Sequence, residues 1–412
     1  MTERPASLAA PHASSVPTAS HPGVRAGTGD TTGLGVLRAV ITVMVVLHHA
    51  VIGYHPYAPP PFDSLRTYPF WQAFPVVDPD RWSGALWIVA FNDTFFMSLM
   101  FLISGLFVWH SLSRKGAARY LGGRVRRLGL PFIAGAALLA PLAYLPSYLQ
   151  TGAAASWSGF WHEWLALDAW PAGPAWFLWL LLAFNAIAVG LYAVAPGWID
   201  RLGRLFANRR PLAAFAILVA ASAAAYAPMA LAFGPIRWSA LGPFAFQTSR
   251  VIHYAVYFGA GIAIGAAGID RSLVAHGGKL AARWLIWVLA AAVAFGLAIK
   301  LTLQDLTSGG ATAWQLADAL GFVVACAALC FAFLAGFVRA SWARSRIADS
   351  LCGNAFAIYV VHYPFVSWVQ YALLGAALPG AVKAALAFTG ALALSWLTAA
   401  GIRCAWRGQP AA

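Results

Sequence analysis

The sequence predicts an all-α, polytopic integral membrane protein of about ten transmembrane helices in one bundle, and three observations predict it. Apolar residues make up 61% of the 412 residues and charged residues only 10%, where about a quarter is usual for a soluble globular chain. Mean hydropathy is correspondingly high, +0.71. Apolar runs of membrane length recur, and Lys and Arg alternately crowd and avoid the segments between them.

Taken in order, residues 1–33 are rich in Ala, Pro, Ser, Thr, Gly and His and hold no apolar core. They predict a disordered cytoplasmic tail, not a signal peptide or a folded unit. Membrane-length runs then follow at about 35–54, 85–110, 128–148, 174–196, 211–233, 250–269, 283–302, 313–337, 351–374 and 380–402. A single membrane domain over 34–403 and a short cytoplasmic tail over 404–412 complete the expected organisation. Basic clusters fill the even loops: Arg114 to Arg127, Arg201 to Arg210, Arg271 to Arg283 and Arg339 to Arg346. The odd loops are poor in Lys and Arg or balanced by acids such as Asp63, Asp78, Asp80, Glu163 and Asp168. The positive-inside rule therefore puts the even loops and both termini in the cytoplasm.

The formal charge of +14 would suggest nucleic acid in a soluble chain. Here the basic residues are short orientation clusters beside apolar runs, so the partner they imply is the lipid bilayer and no nucleic acid is expected. Cys326, Cys330, Cys352 and Cys404 lie in or beside apolar runs without the spacing of a zinc site. They read as packing residues, and neither a disulfide framework nor a metal is expected.

The first span, Gly35 to Tyr54, carries an arginine near its start and two histidines past its middle. Titratable groups inside a span are costly and are kept mostly where they face a bundle interior or a cavity. From Arg38 to His49 is eleven residues, roughly three turns, so the two share a face about 16 Å apart along the axis. His48 lies roughly 80° away. Arg38 and His49 are therefore the candidate catalytic pair. A histidine packed against a backbone carbonyl, with Arg38 as an interfacial anchor, is the competing reading.

Four further stretches depart from a purely apolar bundle. Asn92 and Asp93 in the second span are candidate substrate-binding groups, or solvated residues at the outer interface; Ser104-Gly105 in the same span permits close helix approach or lines a ligand. Arg124 and Arg127 before the third span are three apart and share a helical face, which suits phosphate as well as ordinary anchoring. In the ninth span His362 sits at a depth similar to His49, and two histidines at one depth make a plausible site with His362 as a further catalytic candidate; a lone histidine bonded to a neighbouring helix is the competing reading, and Tyr359, one turn before it, is a substrate-binding candidate. Trp176, Trp179 and Asn185 in the fourth span read as helix packing. Trp157, Trp161, Trp164, Trp170 and Trp176 suit a headgroup-level belt first, with stacking on sugar rings as the second reading. No phosphate loop, GxSxG elbow or HExxH motif is present.

Together these residues resemble acyltransferase family 3, and its glucan-modifying, succinyltransferase-like branch in particular. The matching pieces are Arg38 with His49, FFMSLMFLISGLF in the second span, the Arg124/Arg127/Pro131 run, PAWFLW at the fourth span and IYVVHYPF in the ninth. The resemblance implies transfer of an acyl group, acetyl or succinyl in class, from cytoplasmic acyl-CoA to a hydroxyl of a glycan, lipid-linked sugar or related acceptor. It places the family's arginine and histidine on Arg38 and His49, its basic pair on Arg124 and Arg127, and its late histidine on His362. A bacterial inner membrane is the expected location. The sequence departs from the family pattern at Ala355, where a serine is common, and at Phe356, where tyrosine is more usual. No hydrolase-like domain is expected after the last span. A hydroxyl attacking a thioester needs a base effective near neutral pH, which makes His49 the expected general base. Direct transfer and an acyl-histidine relay both fit. The competing class is a glycan or lipid flippase using Arg38, His49, Asp93 and His362 as a substrate or proton path.

Overall fold

The computed structural model describes residues 32–60, 63–67, 76–195, 197–199, 201, 203, 210–340, 342 and 345–407. Most of the expected N-terminal tail, residues 408–412, and Arg204, Arg209 and Arg344 of the basic loops lie outside the described residues. The ten expected spans are all helical. The long helices are α1 (Thr32–Ile52), α2 (Ser83–Lys115), α3 (Ala117–Gln150), α5 (Trp176–Val194), α6 (Pro211–Phe233), α7 (Val251–Ala266), α8 (Trp284–Thr307), α9 (Thr312–Arg339), α10 (Arg346–Leu373) and α11 (Gly380–Arg407), with the short α4 (Trp157–Leu165) between α3 and α5. Eight of them, all but α4, α7 and α10, are long and apolar enough to cross a membrane, and the chain is an all-α integral membrane protein. Helix α7 has only 16 residues. Helix α10 has 28, but Asn354, His362, Ser367 and Gln370 interrupt its apolar run. Polar groups of that kind are tolerated at depth where protein surrounds them, and all four are buried.

Helix α1 is the axis of the bundle, packed on α2, α9, α10 and α11. Its apolar residues face inward around most of its circumference, as expected of a helix with little polar surface. Between α2 and α7 the approach is unusually close. A Cβ on Gly105 would stand 2.3 Å from the Phe258 carbonyl oxygen, and one on Gly265 2.0 Å from that of Leu106. Gly105, Gly261 and Gly265 thus act as the small residues that let two membrane helices touch backbone to backbone.

Helix α3 contains two π-helical turns, Val125–Gly129 and Gly135–Leu139. Each ends two residues before a proline, Pro131 and Pro141. A proline ring inside a helix collides with the carbonyl four residues earlier, and the widened turn supplies the missing room. The first π turn lies within the arginine run.

At the far end of α1, Gln370 Nε2 donates to the carbonyls of His49 and Ala50, both at 3.0 Å, satisfying groups that a helix terminus leaves open. Asp78 and Asp80, read from sequence as charge balance in an outer loop, instead hold Lys383 of α11. Its buried ammonium lies 3.1 Å from Asp78 Oδ2 and 2.7 Å from Asp80 Oδ2.

Two features depart from the expected pattern. A short antiparallel hairpin, β1 (Trp238–Leu241) with β2 (Phe244–Gln247), joins α6 to α7. Trp179 of α5 fastens it by donating to the Ala245 carbonyl at 2.9 Å. The expected tryptophan belt is in large part a packed cap: Trp164 and Phe160 of α4 bury against Tyr144, Tyr148 and Tyr363, while Trp157 stays 61% exposed.

Candidate active site

Two cavities enter the bundle from opposite ends and converge on Tyr359. The first, about 1400 Å³ of empty space including its mouth, is bordered by Arg38, Arg124, Arg126 and Arg127, with Ser104, Cys352 and Tyr359 among its other walls. The second, about 890 Å³ on the same measure, is bordered by His48, His49 and Asp93 and by the aromatic side chains of Trp170, Trp176, Trp238 and Tyr254, and again Tyr359. Tyr359 donates its hydroxyl hydrogen to the Pro174 carbonyl, tying α10 to the turn that opens α5. Gly173 in that turn has φ +53, and a Cβ there would stand 3.0 Å from the Tyr363 ring. Only glycine makes that turn without strain or collision.

The face of α1 read from sequence as Arg38 with His49 is divided between the cavities, and His48, expected about 80° off it, borders the same cavity as His49. Arg38 and Thr42 face the arginine-lined cavity, and Val45, His48 and His49 face the aromatic one. The Arg38 guanidinium lies 5.9 Å from the centre of the Phe107 ring, and Thr42 donates back to the Arg38 carbonyl at 3.0 Å. Arg38 and His49 thus belong to one face but to two compartments.

His49 and His362 meet. His362 Nδ1 lies 2.7 Å from the Tyr359 carbonyl oxygen, which can only accept, so Nδ1 carries the proton. In the neutral ring Nε2 is then an acceptor, and it lies 3.2 Å from His49 Nδ1. His49 Nδ1 is also 2.9 Å from the Val45 carbonyl oxygen. Both neighbours of His49 Nδ1 are therefore acceptors, which places its proton on Nδ1 and leaves Nε2 with a lone pair. No described residue bonds to His49 Nε2. This tautomer is what a general base on the cavity wall requires. His362 is fully buried and borders neither cavity, so it reaches a substrate only through His49.

The adjacent His48 takes a different neighbourhood, 5.2 Å from the Phe96 ring centre, and its Nδ1 has no hydrogen-bond partner among the described residues.

Arg124 and Arg127 lie on one cavity wall as expected, but the π turn brings Arg126 to it as well. Three-residue spacing on a regular helix does not anticipate that third arginine. Such turns often mark functional sites. Arg124 rests 5.0 Å from the Tyr120 ring centre, and the Tyr120 hydroxyl donates to Asn185 of α5. Asn185 thereby braces the arginine wall. The Ser104-Gly105 pair divides its two expected roles, Ser104 on the cavity and Gly105 in the helix contact.

Asp93 borders the aromatic cavity, and its partner is Arg250, whose Nη2 lies 2.8 Å from Asp93 Oδ2. Nothing local in the sequence pairs residues so far apart, although Arg250 is a cation at the edge of an apolar run. Asn92 is placed differently. It is buried and donates through Nδ2 to the Met44 carbonyl at 3.3 Å, linking α2 to α1 away from both cavities. That position makes it a helix contact and not a substrate ligand. Among the described residues no group of His, Cys, Asp and Glu is arranged to hold a metal.

A family model described as an acyltransferase domain matches the chain over residues 31–400. No curated protein matches and no solved structure matches.

Proposed function

Because the chain belongs to acyltransferase family 3 and is a membrane acyltransferase, we propose that it moves an acetyl- or succinyl-class group from cytoplasmic acyl-CoA to a hydroxyl of a glycan or lipid-linked sugar, with His49 as general base. The observation that carries this reading is the position of His49 on the wall of one cavity, its Nδ1 held by two acceptors and its Nε2 bonded to no described residue, while a separate, arginine-lined cavity approaches from the other end. Guanidinium groups bind phosphate through charge-assisted and commonly bidentate hydrogen bonds, so Arg124 and Arg127, joined by Arg126, suit the phosphates of the donor. Arg38 lines the donor's path. Tyr359 stands where the two cavities converge.

In the proposed reaction the acceptor hydroxyl gives its proton to His49 Nε2 as its oxygen attacks the thioester carbonyl. The C–S bond breaks, and the leaving CoA sulfur takes the proton from His49. Through both steps His362 Nε2 accepts from His49 Nδ1, holding the ring in orientation and stabilising the transient imidazolium. His362 is on this reading a positioning residue. The basic loops suit a cytoplasmic arginine cavity with both termini on that side; a reporter fused after Ala412 is expected to read cytoplasmic.

Cys352 supplies the test of the donor cavity. In a Cys404→Ser background it is the remaining cysteine that is not buried, and coenzyme A is expected to protect it from maleimide. The purified protein is also expected to hydrolyse acetyl-CoA or succinyl-CoA slowly without acceptor. Absence of both protection and hydrolysis would favour the flippase reading.

A further inference from the structure

The charges of the two cavities are opposite in sign. Four arginines and no acid border the first, whereas Asp93 carries the one formal charge among the described residues bordering the second. How Asp93 is held decides what it offers. Arg250 is 5% exposed, does not border the cavity, and spends one guanidinium nitrogen on Asp93 Oδ2 at 2.8 Å and another on the Asp93 carbonyl at 3.1 Å. Its plane is backed by the Phe322 ring, 4.7 Å away. The remaining carboxylate oxygen, Oδ1, has no partner among the described residues, and the side chain is 41% exposed. The dyad therefore presents hydrogen-bond acceptors to the cavity and keeps its donors behind them.

Trp170, Trp176 and Trp238 border the same space. Rigid aromatic faces next to a carboxylate suit a ring with apolar C–H faces and hydroxyl edges. A ligand carboxylate at that point faces Asp93 Oδ1 as a second acceptor with no proton to share, and Arg250, which does not border the cavity, offers it no donor.

The geometry points to Asp93, positioned by Arg250, as the anchor for hydroxyls of the acceptor, and to an acceptor whose bound ring carries no negative charge. This rests on the reading of the aromatic cavity as the acceptor site. Arg250 acts through Asp93 and does not touch the ring.

The test is binding of two probes to the full-length protein in detergent, methyl α-D-glucopyranoside and its uronic acid counterpart, by saturation-transfer NMR titration. The glucoside is expected to bind at least tenfold more tightly than the uronate. Asp93→Asn is expected to weaken the glucoside about tenfold, as loss of a charged hydrogen-bond acceptor does. Arg250→Gln leaves the Asp93 carboxylate without its counter-charge and is expected to lower Tm as well as binding; Arg250→Lys retains part of both. In the double variant Asp93→Asn with Arg250→Gln the stranded charge is gone. Tm is expected to recover while glucoside binding stays lost. Equal or tighter binding of the uronate, recovery of glucoside binding in the double variant, or no glucoside binding in the unaltered protein overturns the inference. Acyl-CoA hydrolysis with no glucoside binding refutes this assignment and leaves the proposed activity standing. Glucoside binding without CoA protection or hydrolysis does the reverse.

Discussion

The arginine-lined and aromatic cavities share a wall at Tyr359 and little else. In one, α3 supplies three of the four arginines from a single four-residue run that enters its π turn and opposes them to Arg38 of α1, with α2, α5 and α10 completing the walls. The other is assembled from α1, α2, the turn before α5, the β1–β2 hairpin and α7. A wall built from local sequence suits a donor that is the same in every reaction of its kind. A wall collected from several connecting segments can change shape by changing loops, which suits the variable partner. Of the histidine pair, His49 borders the aromatic cavity and His362 borders neither, so on the proposed reading the acyl group reaches His49 past Tyr359, the residue common to both walls.

The sharpest way to break that comparison is at His49. His49→Ala is expected to lower acyl transfer by about 10²–10⁴, the usual cost of a lost general base. His48→Ala, at nearly the same depth and on the same cavity, is expected to cost less than about tenfold, because among the described residues only His49 has its Nδ1 held against His362 Nε2, while His48 Nδ1 has no partner to orient the ring. Measured at matched membrane abundance, equal activity in the two variants removes the base assignment. Next in size is the arginine wall. Arg124→Ala with Arg127→Ala is expected to raise KM for acyl-CoA by roughly tenfold or more and to leave kcat for saturating donor nearly intact, as loss of charge-assisted contacts implies. Adding Arg126→Ala is expected to raise it further. A defect confined to insertion or orientation reduces these arginines to membrane anchors.

A smaller effect is expected at His362. His362→Ala removes the acceptor that His49 Nδ1 faces and is expected to lower kcat by about tenfold with KM unchanged; His362→Gln, which retains an acceptor, recovers part of it. Unchanged turnover in both variants assigns His362 to packing. The smallest effect belongs to Asn92. Asn92→Ala is expected to reduce stability by about 0.5–1.5 kcal/mol through the lost bond to Met44 and to leave both KM values unchanged. A raised acceptor KM would put Asn92 back at the aromatic cavity.

The histidine of α10 and the expected base of α1 were legible as two histidines at one depth that could form a site, but which of their atoms meet was not. His362 Nε2 and His49 Nδ1 are in contact across 313 positions, and a sequence without partners to compare carries depth but not azimuth between helices. Asp93 shows the same limit. From sequence it was either a substrate group in need of a partner or a solvated residue at the outer interface, whereas Arg250 became its partner where the glycine contact draws α7 onto α2.

What the sequence by itself determined is everything governed by the solvent. Apolar length set the helices, basic loops predicted their orientation, and the cost of polarity at depth singled out Arg38, His49, Asp93 and His362, because each follows from transfer between water and lipid one segment at a time. Only the tertiary structure decided that Arg38 and His49, on one helical face, open into different cavities, that Arg126 joins Arg124 and Arg127, that Asn92 binds helix to helix, and that His49 presents Nε2. Those outcomes depend on a widened turn, on backbone contact between glycines and on which carbonyl lies beside which ring, and such contacts are settled by packing among helices far apart in the chain.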